Sequence, residues 1–245
     1  MIEIIDCEQN SPEWIAARAG IPTASEFSTV LSEGRADGTM PNTVIDALVK
    51  EGASAAQLAA AVKAAKSRNS NPAAMRLKYL RQLAGEILTG EPAPEGYSNS
   101  YMERGHDLED EARSMFAFMR DVDPQRVGFI KNGRMGCSPD SLIGDDSGLE
   151  IKVAIPAVQI ERLQRGTLPS EHVAQVQGSM LVTARSSWHF VSYCPKLPPL
   201  ILLVERDQTY TLKLANAISA FNEELDALVQ SIRSYSDFGA QARAA

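Results

Sequence analysis

The hydrophobic period of this chain changes near residue 120 from helical to strand spacing, and a chain that changes period this way has to combine helices with a sheet. From Ser98 to Arg120 the apolar residues Met102, Leu108, Ala112, Met115, Phe116 and Met119 recur at helical spacing, which predicts a long amphipathic helix. Beyond it, Val127 to Lys131, Arg134 to Ser138, Leu149 to Ala154, Ser187 to Tyr193 and Leu200 to Arg206 read as short strands. Helical segments at Ala157 to Arg165 and Ser170 to Thr183 interrupt the strands, and a final helix is expected from about Leu212 to Ile232. Before residue 98 the chain reads as helical: Pro12 to Ala19 after a Ser11 cap, Ala24 to Leu31 with Thr23 as cap, Thr43 to Lys50, and Ala73 to Leu88. The expected class is α/β, a mixed β-sheet flanked by helices with a helical N-terminal region, and not a regularly alternating doubly wound fold. A single domain over 1–245 is expected, with a helical insert around 43–71 that holds the alanine-rich run Ala53 to Ala65.

Charge and cysteine usage narrow the function classes. A net charge of −7 argues against a uniformly basic nucleic-acid binder, but not against a local basic surface. Between Gly52 and Gly85 there is no Asp or Glu, while Lys63, Lys66, Arg68, Arg76, Lys78 and Arg81 all fall inside that window. Two readings stay open for it: a solvated helix face, or a surface that follows a phosphate backbone. Cys7, Cys137 and Cys194 are too few and too scattered for a disulfide framework or a four-thiolate site, and read as small apolar residues. His106, His172 and His189 lack metal-ligand spacing and read as structural, and Trp14 and Trp188 read as core aromatics. No stretch approaches the roughly 20 apolar residues of a membrane span, and the start lacks the order of a signal peptide, so a cytoplasmic protein without a membrane partner is expected.

The chemistry concentrates between Cys137 and Ile155, in CSPDSLIGDDSGLEIKVAI. Asp140 is expected to end one strand, Ile143 to Gly148 to turn, and Glu150 and Lys152 to lie two apart on the next strand, projecting from one face. A hairpin then sets Asp140 beside Glu150. Two carboxylates so placed repel unless a cation neutralises them, and hard oxygen ligands suit Mg²⁺ or Mn²⁺. An ammonium at Lys152 could orient the attacking water and balance charge building on phosphorus. Ile151 should face the core, leaving its carbonyl as a further ligand.

Pro139-Asp140 followed by Glu150-Ile151-Lys152 matches the PD-(D/E)xK pattern of nucleases with a restriction-endonuclease-like core. Further matches continue in order: W-I-A-A-R-A-G-I-P-T-A-S-E from Trp14 to Glu26, G-H-D-L-E-D-E-A-R from Gly105 to Arg113, and A-Q-V-Q-G-S-M from Ala174 to Met180. With these stretches the sequence resembles the phage lambda type 5′-to-3′ exonucleases, relatives of the viral alkaline nucleases. The resemblance implies a Mg²⁺-dependent exonuclease, with two ions and Mn²⁺ able to substitute, that degrades the 5′-phosphorylated strand of a duplex end and leaves a 3′ tail for recombination. It implies metal binding by Asp140, Glu150 and the Ile151 carbonyl, action of Lys152 on the water, and Glu109 close to the metals. Arg18, Ser25, Ser138 and Gln175 match positions that hold a terminal 5′-phosphate. Glu86 matches an acid flanking the family's site, with a structural role equally open. The resemblance also implies a ring of three subunits and a single-strand annealing protein as partner. His172 departs from the pattern, standing where a tyrosine can occur, and Val153 to Val158 differ too. A site-specific endonuclease using the same centre, and a DNA-binding assembly module without activity, are the alternatives.

Overall fold

The computed structural model describes residues 1–32, 72–93 and 100–241, with side chains left out at 72, 100–107 and 236–241. The expected helix Thr43 to Lys50, the insert around 43–71, and Lys63, Lys66 and Arg68 lie outside the described residues.

Two sheets form the centre. Strands β1 (Ile2–Ile5), β2 (Phe129–Asn132) and β3 (Met135–Cys137) make an antiparallel sheet in that order. Strands β4 (Ser141–Ile143), β5 (Ser147–Val153), β6 (Ser187–Tyr193) and β7 (Leu200–Glu205) make a mixed one, with β5 and β6 parallel and the outer pairs antiparallel. The parallel pair needs a crossover, and α5 (Pro156–Arg165) with α6 (Ser170–Thr183) supplies it. The other helices are α1 (Pro12–Arg18), α2 (Phe27–Val30), α3 (Pro72–Thr89), α4 (Ser100–Arg120) and α7 (Gln208–Gln241).

The mixed sheet is covered on both faces. One face carries Leu149, Ile151, Val191 and Tyr193, packed on Ala112 and Phe116 of α4. The other carries Trp188 and Phe190, which join Met180 of α6, Phe27 of α2, Leu83 of α3 and Phe221 of α7 in the larger core. Alternation along β5 follows from the two-residue strand period: Leu149 and Ile151 point to α4, so Glu150 and Lys152 must point to the opposite side.

Sequence and structure part in four places. The expected single sheet is two, because β1 adds a strand to β2 and β3 from the far end of the chain. The expected turn Ile143 to Gly148 shrinks to Gly144–Asp146, because Ile143 ends the unforeseen strand β4 and Ser147 and Gly148 begin β5; Gly144 takes φ 50, a conformation that costs glycine little. Thr23 does not cap a helix; Ala24–Glu26 forms a 3-10 turn ahead of α2, and the Thr23 hydroxyl meets that of Ser25 at 3.2 Å. The Ser11 cap is present, its hydroxyl accepting the Trp14 N–H at 3.2 Å. Finally, among the described side chains of the expected α4 stripe, only Ala112 and Phe116 are fully enclosed, while Met119 is exposed; the Met102 side chain lies outside them.

Gly178 shows why α6 can lie so close to α2. A Cβ there would sit 2.3 Å from Cδ2 of Phe27, itself fully buried. Gly178→Ala should therefore lower the unfolding free energy by roughly 1–3 kcal/mol, read by urea denaturation. A loss below about 0.5 kcal/mol would contradict this packing.

Candidate active site

Asp140 lies where the chain leaves one sheet for the other, between β3 and β4. The register Ser141↔Leu149, carried back one residue, places Asp140 opposite Glu150. Asp140 thus precedes its strand rather than ending one, and still meets Glu150 as the hairpin requires. Its Oδ2 accepts the Ile151 N–H at 2.5 Å, in place of the next rung of the ladder. Gln9, which sequence reasoning did not single out, pins the approach: its Nε2 donates to the carbonyls of Val127 (3.1 Å) and Pro139 (3.0 Å).

Glu150, only 1% exposed, is held from two sides. Oε1 accepts the Gln175 side-chain amide at 2.6 Å and pairs with Lys152 Nζ at 2.6 Å. Oε2 is buried and has no hydrogen-bond partner among the described residues. A buried carboxylate oxygen without a donor is costly, so this atom is the place where a ligand of positive charge fits.

The charges reinforce that reading. Burial pushes the Asp140 carboxyl well above the usual carboxylate range, and the negative charges of Glu150 and Glu109 push it further, against Lys152 and the Ile151 N–H. Burial also raises Glu150, with Glu109 adding to it and Lys152 and Gln175 opposing. At Lys152 burial works to lower the pKa, but the attraction of Glu150 and Asp140 outweighs it and keeps the ammonium protonated. The site therefore holds converging acids whose negative charge exceeds what one lysine balances.

Glu109 arrives from α4 and is fixed by Arg113, the last residue of the G-H-D-L-E-D-E-A-R stretch. Arg113 is 9% exposed. Its Nη2 donates to Glu109 (2.5 Å), its Nη1 to Asp110 (2.5 Å) and its Nε to the Ser141 hydroxyl (3.0 Å). A longer contact reaches the Asp140 carbonyl at 3.4 Å. Sequence reasoning missed this clamp, although the i,i+4 and i,i+3 spacing from Glu109 and Asp110 was the available signal. These acids open on a cleft of about 540 Å³ lined also by Asp6, Gln9 and Arg126.

Arg18 meets Ser138, and the turn that carries Ser25 docks on β3 nearby. The Ser138 hydroxyl accepts from the Trp14 ring N–H at 2.9 Å and from Arg18 Nη1 at 3.4 Å, and the Arg18 guanidinium lies 3.9 Å over the Trp14 ring. Trp14, expected in the core, is thus a half-buried support for Arg18. The exposed Ser25 is brought close because the Gly136 N–H donates to the Pro22 carbonyl at 3.1 Å, docking its turn on β3 just ahead of Ser138. Gln175 comes from α6, and its side-chain amide donates to Glu150.

Other candidates are structural. Glu86 accepts the Gly20 N–H (2.7 Å), the Gln82 amide (3.1 Å) and the Ala93 N–H (3.3 Å), which ties α3 to the end of α1. Arg76 is paired with Glu224 of α7, while Lys78 and Arg81 are exposed on α3. Trp188, Cys137 and Cys194 are buried, and Cys7 is half-buried. Among the described residues no group of three or more His, Cys, Asp or Glu side chains forms a ready metal cage, and none of their helices is long and apolar enough to cross a membrane.

With this geometry in place, comparison with solved structures gives a consistent answer. A crystal structure of LHK-Exo in complex with dAMP superposes with a TM-score of 0.72 at 26% identity, covering 93% of this chain and 98% of that one. A second structure of that protein, an alkaline exonuclease from Laribacter hongkongensis, gives a TM-score of 0.71 at 26% identity, with the same coverage of 93% and 98%. A phage related exonuclease from Haemophilus somnus 129PT shares the fold, with a TM-score of 0.55 at 15% identity over 86% of this chain and 96% of its own. No curated protein matches the chain. The family model for the YqaJ-like viral recombinase domain matches residues 13–186, well over half of the chain, and the chain belongs to that family.

Proposed function

We propose that this protein is a Mg²⁺-dependent DNA exonuclease that degrades the 5′-phosphorylated strand of a duplex end in the 5′-to-3′ direction, leaving a 3′ single strand for recombination. Family membership and the likeness to an alkaline exonuclease support a DNA exonuclease. One observation carries the metal: the buried, unpartnered Oε2 of Glu150 beside Asp140, in a site whose acids outnumber its single ammonium.

Asp140 and Glu150 would hold the ion, with waters filling the other positions, as Mg²⁺ prefers few protein carboxylates. The Ile151 carbonyl would be a third ligand by backbone geometry. In a strand the N–H and C=O of one residue point to the same edge, and the Ile151 N–H points at Asp140. A bound Mg²⁺ supplies Lewis acidity and lowers the pKa of its water, and a second ion could be held between Asp140 and Glu109; Mn²⁺ satisfies the same oxygen donors.

The chain's own groups do the rest. Lys152, kept protonated by its acids, orients the attacking water and offsets charge on the phosphorus. Gln175 fixes Glu150, and Arg113 fixes Glu109. Arg18, with its forked donors held flat by Trp14, would take a terminal 5′-phosphate together with Ser25 and Ser138. Holding a terminal phosphate there would set the polarity, since the first phosphodiester would then be presented toward Asp140 and Glu150. A net charge of −7 gives little general hold on a polyanion, which supports a ring of three subunits that retains DNA by topology. The released 3′ strand would suit a single-strand annealing protein as partner.

Asp140→Asn and Lys152→Ala should each lower nucleotide release from linear duplex DNA by at least about 10²-fold, with Lys152→Ala still binding DNA. Arg18→Ala should lose the preference for 5′-phosphorylated over 5′-hydroxyl ends. Undiminished release in the first two variants, activity that survives EDTA, or equal cutting of closed circles would contradict the proposal.

A stability measurement tests the electrostatics separately. An acid whose folded-state pKa lies above its unfolded value costs stability once pH passes the unfolded value, and the full cost is present above the folded one. Asp140 is such an acid. Without metal at pH 8, Asp140→Asn should therefore melt at least about 2 °C above the unsubstituted protein, and the gap should shrink toward pH 4. A lower melting temperature for the variant at pH 8 would contradict the raised pKa.

A further inference from the structure

Arg162, near the end of α5, is a largely buried guanidinium whose ion pair with the exposed Glu171 is a loose one. Its side chain is 12% exposed. Nη1 donates to the Ser192 hydroxyl at 3.0 Å and Nη2 to His172 Nε2 at 3.0 Å. The guanidinium forms an ion pair with Glu171 at 3.7 Å, too long for a hydrogen bond, and the Glu171 side chain is 60% exposed. Because a guanidinium has no acceptor, His172 Nε2 must carry the lone pair and Nδ1 the proton. Burial, with Lys152 and Arg162 nearby, pushes the His172 pKa down to about 4, so the ring is neutral at neutral pH. Buried charges are ordinarily closely paired, and this one gives its hydrogen bonds to two neutral groups, with only a long pair to the exposed Glu171.

The holder is well built. Fully buried Gln159 accepts the Ser192 O–H at 2.6 Å and donates to the carbonyls of Ser192 (3.1 Å) and Pro198 (2.7 Å). His172 is packed on Phe190, with ring centroids 5.3 Å apart. These contacts use two of the five guanidinium N–H groups and fix its plane, leaving a planar fork suited to a phosphate.

Its position relative to the site follows from the sheet. Lys152 is in register with Ser192, and Glu150 with Phe190, so the face that carries the candidate centre continues one strand further to Arg162. Adjacent strands are about 4.8 Å apart. The order across the sheet is Ser138 and Asp140, then Glu150 and Lys152, then Ser192 with Arg162 beyond it. Arg18 and Arg162 therefore flank the centre from opposite sides.

We propose that Arg162, oriented by Ser192 and His172, binds the backbone phosphate next to the scissile one, on the side away from the terminal phosphate. This rests on the exonuclease reading above and adds a second anchoring point for the degraded strand. A buried cation compensated only by a loose, exposed carboxylate draws in the strand's next anion and keeps the register of the strand after each cut.

The test uses duplexes in which a single methylphosphonate removes the charge from one linkage at a time near the 5′-phosphorylated end, with binding measured on the full chain in Ca²⁺. Neutralising the linkage next to the scissile one should weaken wild-type binding by about tenfold. Arg162→Ala should lose about as much on unmodified DNA and nothing further on that modified duplex, a coupling that a merely structural role for Arg162 would not produce. Losses that simply add, or an Arg162→Ala variant that binds as wild type does, would overturn the proposal. If Arg162→Ala does not fold, the wild-type scan decides alone, because no loss at that linkage overturns it as well. A wild-type protein that neither binds nor cuts duplex ends sinks the exonuclease reading itself, whereas end binding without coupling at that linkage sinks only the role of Arg162.

Discussion

The structure turns on keeping two acids out of water next to each other. Glu150 is enclosed in the second strand of the mixed sheet, and Asp140 is brought opposite it by a three-residue turn. Like charges in a low-dielectric setting cannot both stay ionised without compensation. Lys152 answers part of that need through Oε1 of Glu150, and leaves Oε2 with nothing. The surrounding architecture exists to hold that imbalance in place.

Each layer contributes one restraint. Helix α4 covers the Leu149 and Ile151 face and sends Glu109 around the edge, with Arg113 locking helix to strand. Helix α6 covers the opposite face and sends Gln175 to Glu150. The N-terminal turn docks on β3 and brings Ser25 toward Ser138, so end recognition and metal binding share one scaffold. Since both groups of residues emerge from the same short stretch, Ser138 to Asp140, their spacing depends on the crossing between two sheets and not on a mobile linker.

Much of this could be read from the chain before any coordinates. The period-two placement of Glu150 and Lys152 is local, and the apolar residues between and around them force both to one side, so β5 was legible. Helices α3, α5 and α6 were legible for the same reason, with sustained periodicity over ten or more residues. Strand β1 was not: Ile2–Ile5 is mostly exposed, lacks alternation, and pairs with residues more than a hundred positions away. Strand β4 has three residues, too few to show a period, and is specified by its pairing with β5. Trp14 was misplaced because its hydrophobicity says nothing of the arginine one turn later that uses its face. Arg162 escaped notice since a buried arginine is defined by what surrounds it in space, and its neighbours come from other elements; Arg113 had a local signal in Glu109 and Asp110, but not in Ser141.

The most direct measurement is a crystal grown with Mn²⁺, examined for anomalous scattering. The account predicts a peak within about 2.0–2.3 Å of Oε2 of Glu150, a carboxylate oxygen of Asp140 and the Ile151 carbonyl. A well-ordered site in saturating Mn²⁺ with no peak there, and with Oε2 still without a partner, would contradict it.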